Sequence, residues 1–129
     1  MRFGLTLVLF SVLASSAVAA EQFDLQCTKQ VRGSGVAETN TRTYRIDLEA
    51  KRWCMDECKT ARGIQAVTPD RITIDETDPA ERRYRASHYI DRSTGKYIQT
   101  YDNRSLGSVI ITEGVCEPAP FSGLPGTKF

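Results

Sequence analysis

From residue 21 onward one pattern recurs: apolar and polar residues alternate with a period of two. A chain patterned this way buries its apolar side as a sheet, because successive side chains of a strand point to opposite faces. Phe23, Leu25 and Cys27 share one side of the first such segment. Tyr44, Ile46 and Leu48 share one side of 41–48, and Ile72 and Ile74 one side of 71–75. No long stretch carries the helical period. Residues 55–62 are polar and leave room for a single helical turn that Gly63 would end. Turn-forming clusters at 32–35, 49–51, 69–70, 76–79 and 103–107 separate the segments. Strands at this spacing predict an all-β domain, an antiparallel up-and-down meander of seven or eight strands forming a small barrel. A bulge is expected at Glu113-Gly114 in the last strand.

The first 20 residues follow another logic. Met1-Arg2 is basic, Leu5–Leu13 is apolar apart from Thr6 and Ser11, and Ala17-Val18-Ala19-Ala20 is small. This order predicts a signal peptide over 1–20, with an apolar run too short to span a bilayer. Removing 20 of the 129 residues leaves 109, enough for one modest core. The expected domains are the leader, a β domain over 21–117 and an extended Pro/Gly-rich tail over 118–129. Loss of Arg2 with the leader brings the 17 basic residues to 16, matching the 16 acidic ones. A neutral chain argues against nucleic acid or an anionic membrane as partner. No second apolar run is long enough to cross a membrane.

All four cysteines lie after the leader. An even count in a small exported chain predicts disulfides. The favoured pairing is Cys27–Cys116, tying the first strand to the last, with Cys54–Cys58 as a local staple. Residues four apart in a straight strand are roughly 13 Å apart, so the second bridge requires the chain to turn between its ends. C-x3-C offers too few ligands for zinc, and no metal or cofactor is expected.

The most legible hairpin is 82–102, which holds the chain's one histidine and four of its five tyrosines. Ser93-Thr94-Gly95 reads as a three-residue connection with Gly95 in the left-handed region. That register pairs Ile90 with Ile98 and His88 with Thr100. It turns Tyr84, Ala86, His88, Ile90, Ile98 and Thr100 inward. It turns Arg83, Arg85, Ser87, Tyr89, Tyr97, Gln99 and Tyr101 outward. Tyrosines beside arginines suit protein recognition, so Arg83, Arg85, Tyr89, Tyr97 and Tyr101 are the expected contact face. A slip of one residue would exchange the faces, and the proline-rich tail with Phe121 is the rival cover for this surface.

His88 has no hydrolase motif around it: G-x-S-x-G, H-E-x-x-H and a glycine-rich phosphate loop are all absent. Ser87 points away from it along the strand. The chain is therefore read as non-catalytic, periplasmic or secreted, and monomeric. The runs F-D-L-Q-C, Y-R-I-D-L, R-W-C and C-E-P-A-P-F-S-G resemble small exported bacterial proteins to which no activity is attached. In size, leader and β content the chain is also similar to small periplasmic lysozyme inhibitors, an architectural likeness without an inhibitor motif. The expected function is a protein-interaction or inhibitor-type module acting on an envelope or extracellular protein. The alternative is a lipocalin-like carrier of a small apolar ligand, with Tyr84, His88 and Thr100 at the barrel mouth.

Overall fold

The computed structural model describes residues 21–126 apart from 34 and 79, so the expected leader lies outside the described residues. The described chain is all β. Its strands are β1 (Gln22–Gly33), β2 (Val36–Asp47), β3 (Arg52–Met55), β4 (Arg62–Gly63), β5 (Ala66–Val67), β6 (Arg71–Glu76), β7 (Tyr84–Asp91), β8 (Lys96–Asn103) and β9 (Ser108–Ala119). They form one antiparallel sheet in the order β4-β3-β2-β1-β9-β8-β7-β6-β5. The count is nine where seven or eight were expected, with two short strands, β4 and β5, on either side of Ile64-Gln65.

Every neighbouring pair but one joins strands consecutive in sequence. The exception is β1 with β9, paired from Asp24↔Ala119 to Arg32↔Ile111. This seam curls the meander into a half-barrel. The free edges, β4 and β5, are themselves joined by Ile64 and Gln65. Ile64 N–H donates to the Lys51 carbonyl at 2.8 Å, and Gln65 N–H to the Thr73 carbonyl at 3.0 Å. The two edges are thus held together by chain connectivity, and buried Ile64 fills the gap between them.

The concave face carries the core: Leu25, Cys27, Tyr44, Ile46, Trp53, Ile72, Ile74, Ile90 and Tyr97 belong to one buried cluster. Cys27 and Cys116 face each other across the seam, and Cys54 bonds to Cys58, as the spacing predicted. No helical turn forms over 55–62. Asp56 takes a left-handed φ of 51°. Its carboxylate accepts from Thr43 N–H and from Arg42, each at 2.9 Å, which holds the loop as a turn.

β9 runs two residues past the expected end of the domain, to Ala119. The tail then crosses the convex face of β1–β3. Ser122 Oγ–H donates to Asp24 Oδ2 at 2.6 Å, and Arg45 donates to the Gly123 carbonyl at 3.2 Å. Phe121 and Leu124 pack with Cys54, Cys58 and Ala61 in a second apolar cluster. The tail therefore covers β1–β3 and leaves the outer face of the β7–β8 hairpin open.

The bulge expected at Glu113-Gly114 is absent: β9 pairs there without a break on both sides. The register shift lies instead in β6, between Thr73 and Asp75. Gly114 is glycine for another reason. A Cβ there would strike the Thr28 carbonyl oxygen and come within 2.9 Å of Lys29 Cα and 3.0 Å of its Cγ. Gly114→Ala is expected to cost about 1–3 kcal/mol by overpacking. Gly63→Ala, with nothing within 4 Å, serves as the control in urea denaturation; equal midpoints would refute the close-approach account.

Candidate functional site

The β7–β8 register differs by one residue from the sequence expectation. Ile90 faces Tyr97, His88 faces Gln99, Ser87 faces Thr100 and Ala86 faces Tyr101. The cause is Asp91. Its Oδ1 accepts from Ser93 N–H and Thr94 N–H, each at 2.9 Å, and from Ser93 Oγ–H at 2.6 Å. These bonds, led by the one from the Ser93 hydroxyl, hold the Asp91 carboxyl down at about 2. Gly95 N–H closes the loop on the Asp91 carbonyl at 2.9 Å. The connection is therefore four residues, 92–95. Gly95 is left-handed as expected, with φ 71°.

One extra loop residue exchanges the faces of β8 and leaves β7 as predicted. His88 and Ile90 point inward, now with Tyr97 and Gln99 beside them. Tyr97 is 0 % exposed, so it cannot belong to an outward contact row. Tyr101 is exposed but lies in the inward-facing register, its ring stacked on Tyr84 at 6.0 Å. Arg83 and Arg85 are exposed, and Tyr89 is half-buried with the Arg71 guanidinium 4.0 Å above its ring. The five residues of the expected face thus divide between two sides of the sheet. Thr100 likewise leaves the mouth, and Tyr84 stands exposed near the far end of β7.

What the fold brings together instead lies on the concave face. Lys29 and Val31 from β1, Asn40, Arg42 and Tyr44 from β2, and Trp53 and Met55 from β3 line a cavity of about 380 Å³. Arg62, Asp75, His88, Gln99 and Thr112 complete it. Eight of the nine strands contribute, and all of these positions share the inward register. The floor is aromatic. Tyr44 stacks on Trp53 at 5.8 Å, and His88 stands edge-on to Tyr97 at 4.9 Å and to Tyr44 and Trp53 at 5.9 Å. A second cavity, of about 420 Å³ and lined by Phe23, Leu25, Ile72, Ile90 and Pro118 among others, opens elsewhere on the concave side. It shares no lining residue with the first.

A directed hydrogen-bond chain crosses the floor. Lys29 Nζ donates to the Tyr44 hydroxyl at 2.7 Å, the Tyr44 and Tyr97 hydroxyls meet at 3.0 Å, and Tyr97 donates to Gln99 Oε1 at 2.9 Å. Each hydroxyl has one proton, so Tyr44 must be the donor to Tyr97. Burial pushes both phenols up, and the neighbouring phenol adds to the rise at Tyr97. Both therefore stay neutral.

Lys29 is buried, with Nζ 4.6 Å from the Tyr97 ring centre and 5.0 Å from that of Tyr44. Burial, and then the Arg42 charge, bring its pKa down to about 8, against an opposing pull from Asp56. Among the described residues no carboxylate pairs with it, since Asp56 is taken by Arg42 at 2.9 Å. Arg62 lies 5.8 Å from the Trp53 ring. Burial, and then the Lys29 charge, hold His88 down at about 4, so its imidazole is neutral at physiological pH. Among the described residues, two buried side-chain polar atoms have no hydrogen-bond partner, His88 Nε2 and Asn40 Oδ1.

Sequence reasoning placed His88 and Tyr44 inward but did not bring the mouth together. The signal was present in β1. Phe23, Leu25 and Cys27 continue at the same parity to Lys29 and Val31, so a cation sits in an apolar row. No family model matches the chain, and neither the curated proteins nor the solved structures provide a match.

Proposed function

We propose that this chain is an exported, non-catalytic binding protein that holds a small organic molecule in the mouth of its curled sheet. One observation carries the reading. Inward-facing side chains from eight strands converge on a cavity of about 380 Å³ that combines an aromatic wall with unpaired buried polar groups. Buried polar atoms without partners are costly, and a ligand that satisfied them would recover that cost. The volume is in the range of small-molecule sites. Export is supported by the two disulfides, which an oxidising compartment maintains. A protein-contact role is less well supported, because the tyrosine–arginine row does not form one face.

The likeness to a lipocalin-type carrier extends only to entry at an open end of a curled sheet. The Tyr44–Tyr97–His88 floor limits depth, so the ligand is compact and not a long acyl chain. Trp53 is the chain's one tryptophan and lines the mouth, so its emission reports occupancy directly. Fragments of mixed charge that shift Trp53 emission should lose their effect in Thr112→Phe, which fills the cavity from β9. Hits that persist in that variant, or a library without hits, would overturn the reading.

A further inference from the structure

The ligand's chemistry can be argued one step further, on the basis of the mouth reading above. We infer that the mouth takes a compact organic anion, an aryl or cycloalkyl carboxylate. Its carboxylate would sit on the Lys29 ammonium and its ring against Trp53.

Arg42 is neutralised by Asp56 at 2.9 Å. That leaves Lys29 and Arg62 facing Asp75 alone among the charged groups lining the cavity, a positive excess. Lys29 is the unusual member, a buried cation held by one phenol and two ring faces. An ammonium has three donors, and one hydrogen bond is accounted for. Buried charges are ordinarily paired, and an anion from outside is the pairing this geometry admits. Gly114 on β9 lets its backbone close against Lys29: a Cβ there would come within 3.0 Å of the Lys29 stem. The rest of the wall is chosen for a ring. Trp53, Met55 and Val31 supply apolar surface, and Met55 is 39 % exposed with its side chain at the opening. Charge-assisted hydrogen bonds exceed neutral ones in strength, so an acid should be preferred to its neutral isostere.

The test uses the disulfide-bonded protein and two probes of one shape, 2-naphthoate and 2-naphthamide, in calorimetric titrations. Naphthoate should bind about tenfold or more tighter than the amide. Lys29→Gln should remove that preference, bringing naphthoate to within about twofold of the amide in the same variant. The wild-type protein gives a second readout that needs no variant. Between pH 7 and 9.5 naphthoate affinity should fall about tenfold as Lys29 loses its proton, while amide affinity stays level. The other charged or titratable groups facing the mouth are Arg42, paired with Asp56, and Arg62, Asp75 and His88; His88 is held down at about 4 and the two phenols of the floor are raised above the interval. If acid and amide bind equally and both are lost in Thr112→Phe, the mouth stands and the anion inference falls. If naphthoate binds with no dependence on Lys29 or pH, its site lies elsewhere and the inference is overturned. If neither probe binds, the inference fails, and the fragment experiment judges the mouth by itself.

Discussion

Replacing Cys27 and Cys116 together by alanine is expected to cost about 4–5 kcal/mol of stability, a large part of what a domain of this size possesses. Replacing Cys54 and Cys58 should cost about 2 kcal/mol. The difference follows from loop length. The first bridge joins residues 89 apart in sequence, and the second joins residues four apart. Constraint on the unfolded chain grows with the logarithm of the closed loop.

Location in the fold sharpens the contrast. Cys27–Cys116 lies in the middle of the β1–β9 seam, the one pairing between strands distant in sequence. The other pairings join strands that are neighbours along the chain and close cheaply. Without the bridge, closing the seam requires ordering nearly the whole domain at once. Urea denaturation of the two double variants measures both costs, and equal losses would sink this account of the seam.

Acidification supplies the second large effect. His88 has a folded pKa of about 4 against an ordinary value of 6.5. Its folded value is depressed, so between about pH 6.5 and 4 the unfolded chain binds the proton that the folded chain refuses. Stability therefore rises with pH through that window and is lost as pH falls through it. The loss from pH 7 to 4.5 is on the order of 2 kcal/mol.

The physical cause is a buried imidazole beside a buried cation. A protonated His88 would have Lys29 as its charged neighbour and aromatic edges around it. Asp75, opposite on β6, is solvent-exposed. Asp91 belongs to a lower window, since its folded pKa of about 2 puts its contribution at risk below about pH 4. Measurement at pH 7 and 4.5 thus separates the histidine from Asp91. In His88→Leu the loss over this interval should shrink to less than half of the wild-type loss. An unchanged loss would show that another group carries the acid sensitivity.

Alternation was enough to read the sheet. Phe23, Leu25, Tyr44, Ile46, Ile72, Ile74 and Ile90 all face the core as their parity requires, because a strand offers each side chain only two directions. The paired cysteines were legible for a similar reason: Cys54 and Cys58 can meet only across a turn, and Asp56 makes one. The candidate site was less legible. Lys29 could have been noticed as a cation in an apolar row. Arg42, Arg62, Asp75, Gln99 and Thr112 sit on separate strands, and nothing local marks them as neighbours.

The loop at 92–95 shows where local reading ends. Ser93-Thr94-Gly95 announces a turn and Gly95 its left-handed residue. Whether the loop holds three residues or four was settled by the Asp91 side chain, which gathers three donors. That single residue decides whether Tyr97 faces solvent or the core.

The sequence by itself determined an all-β domain, the inward rows of β1, β2, β6 and β7 and the need for a turn between Cys54 and Cys58, because side-chain parity and the reach of a disulfide are local constraints; it favoured the Cys27–Cys116 pairing. Tertiary structure alone decided the β1–β9 seam's curvature, the course of the tail over β1–β3 and the meeting of eight strands at the mouth. Those depend on which distant strands pair and in what register, and register is settled by side-chain contacts that no single segment contains.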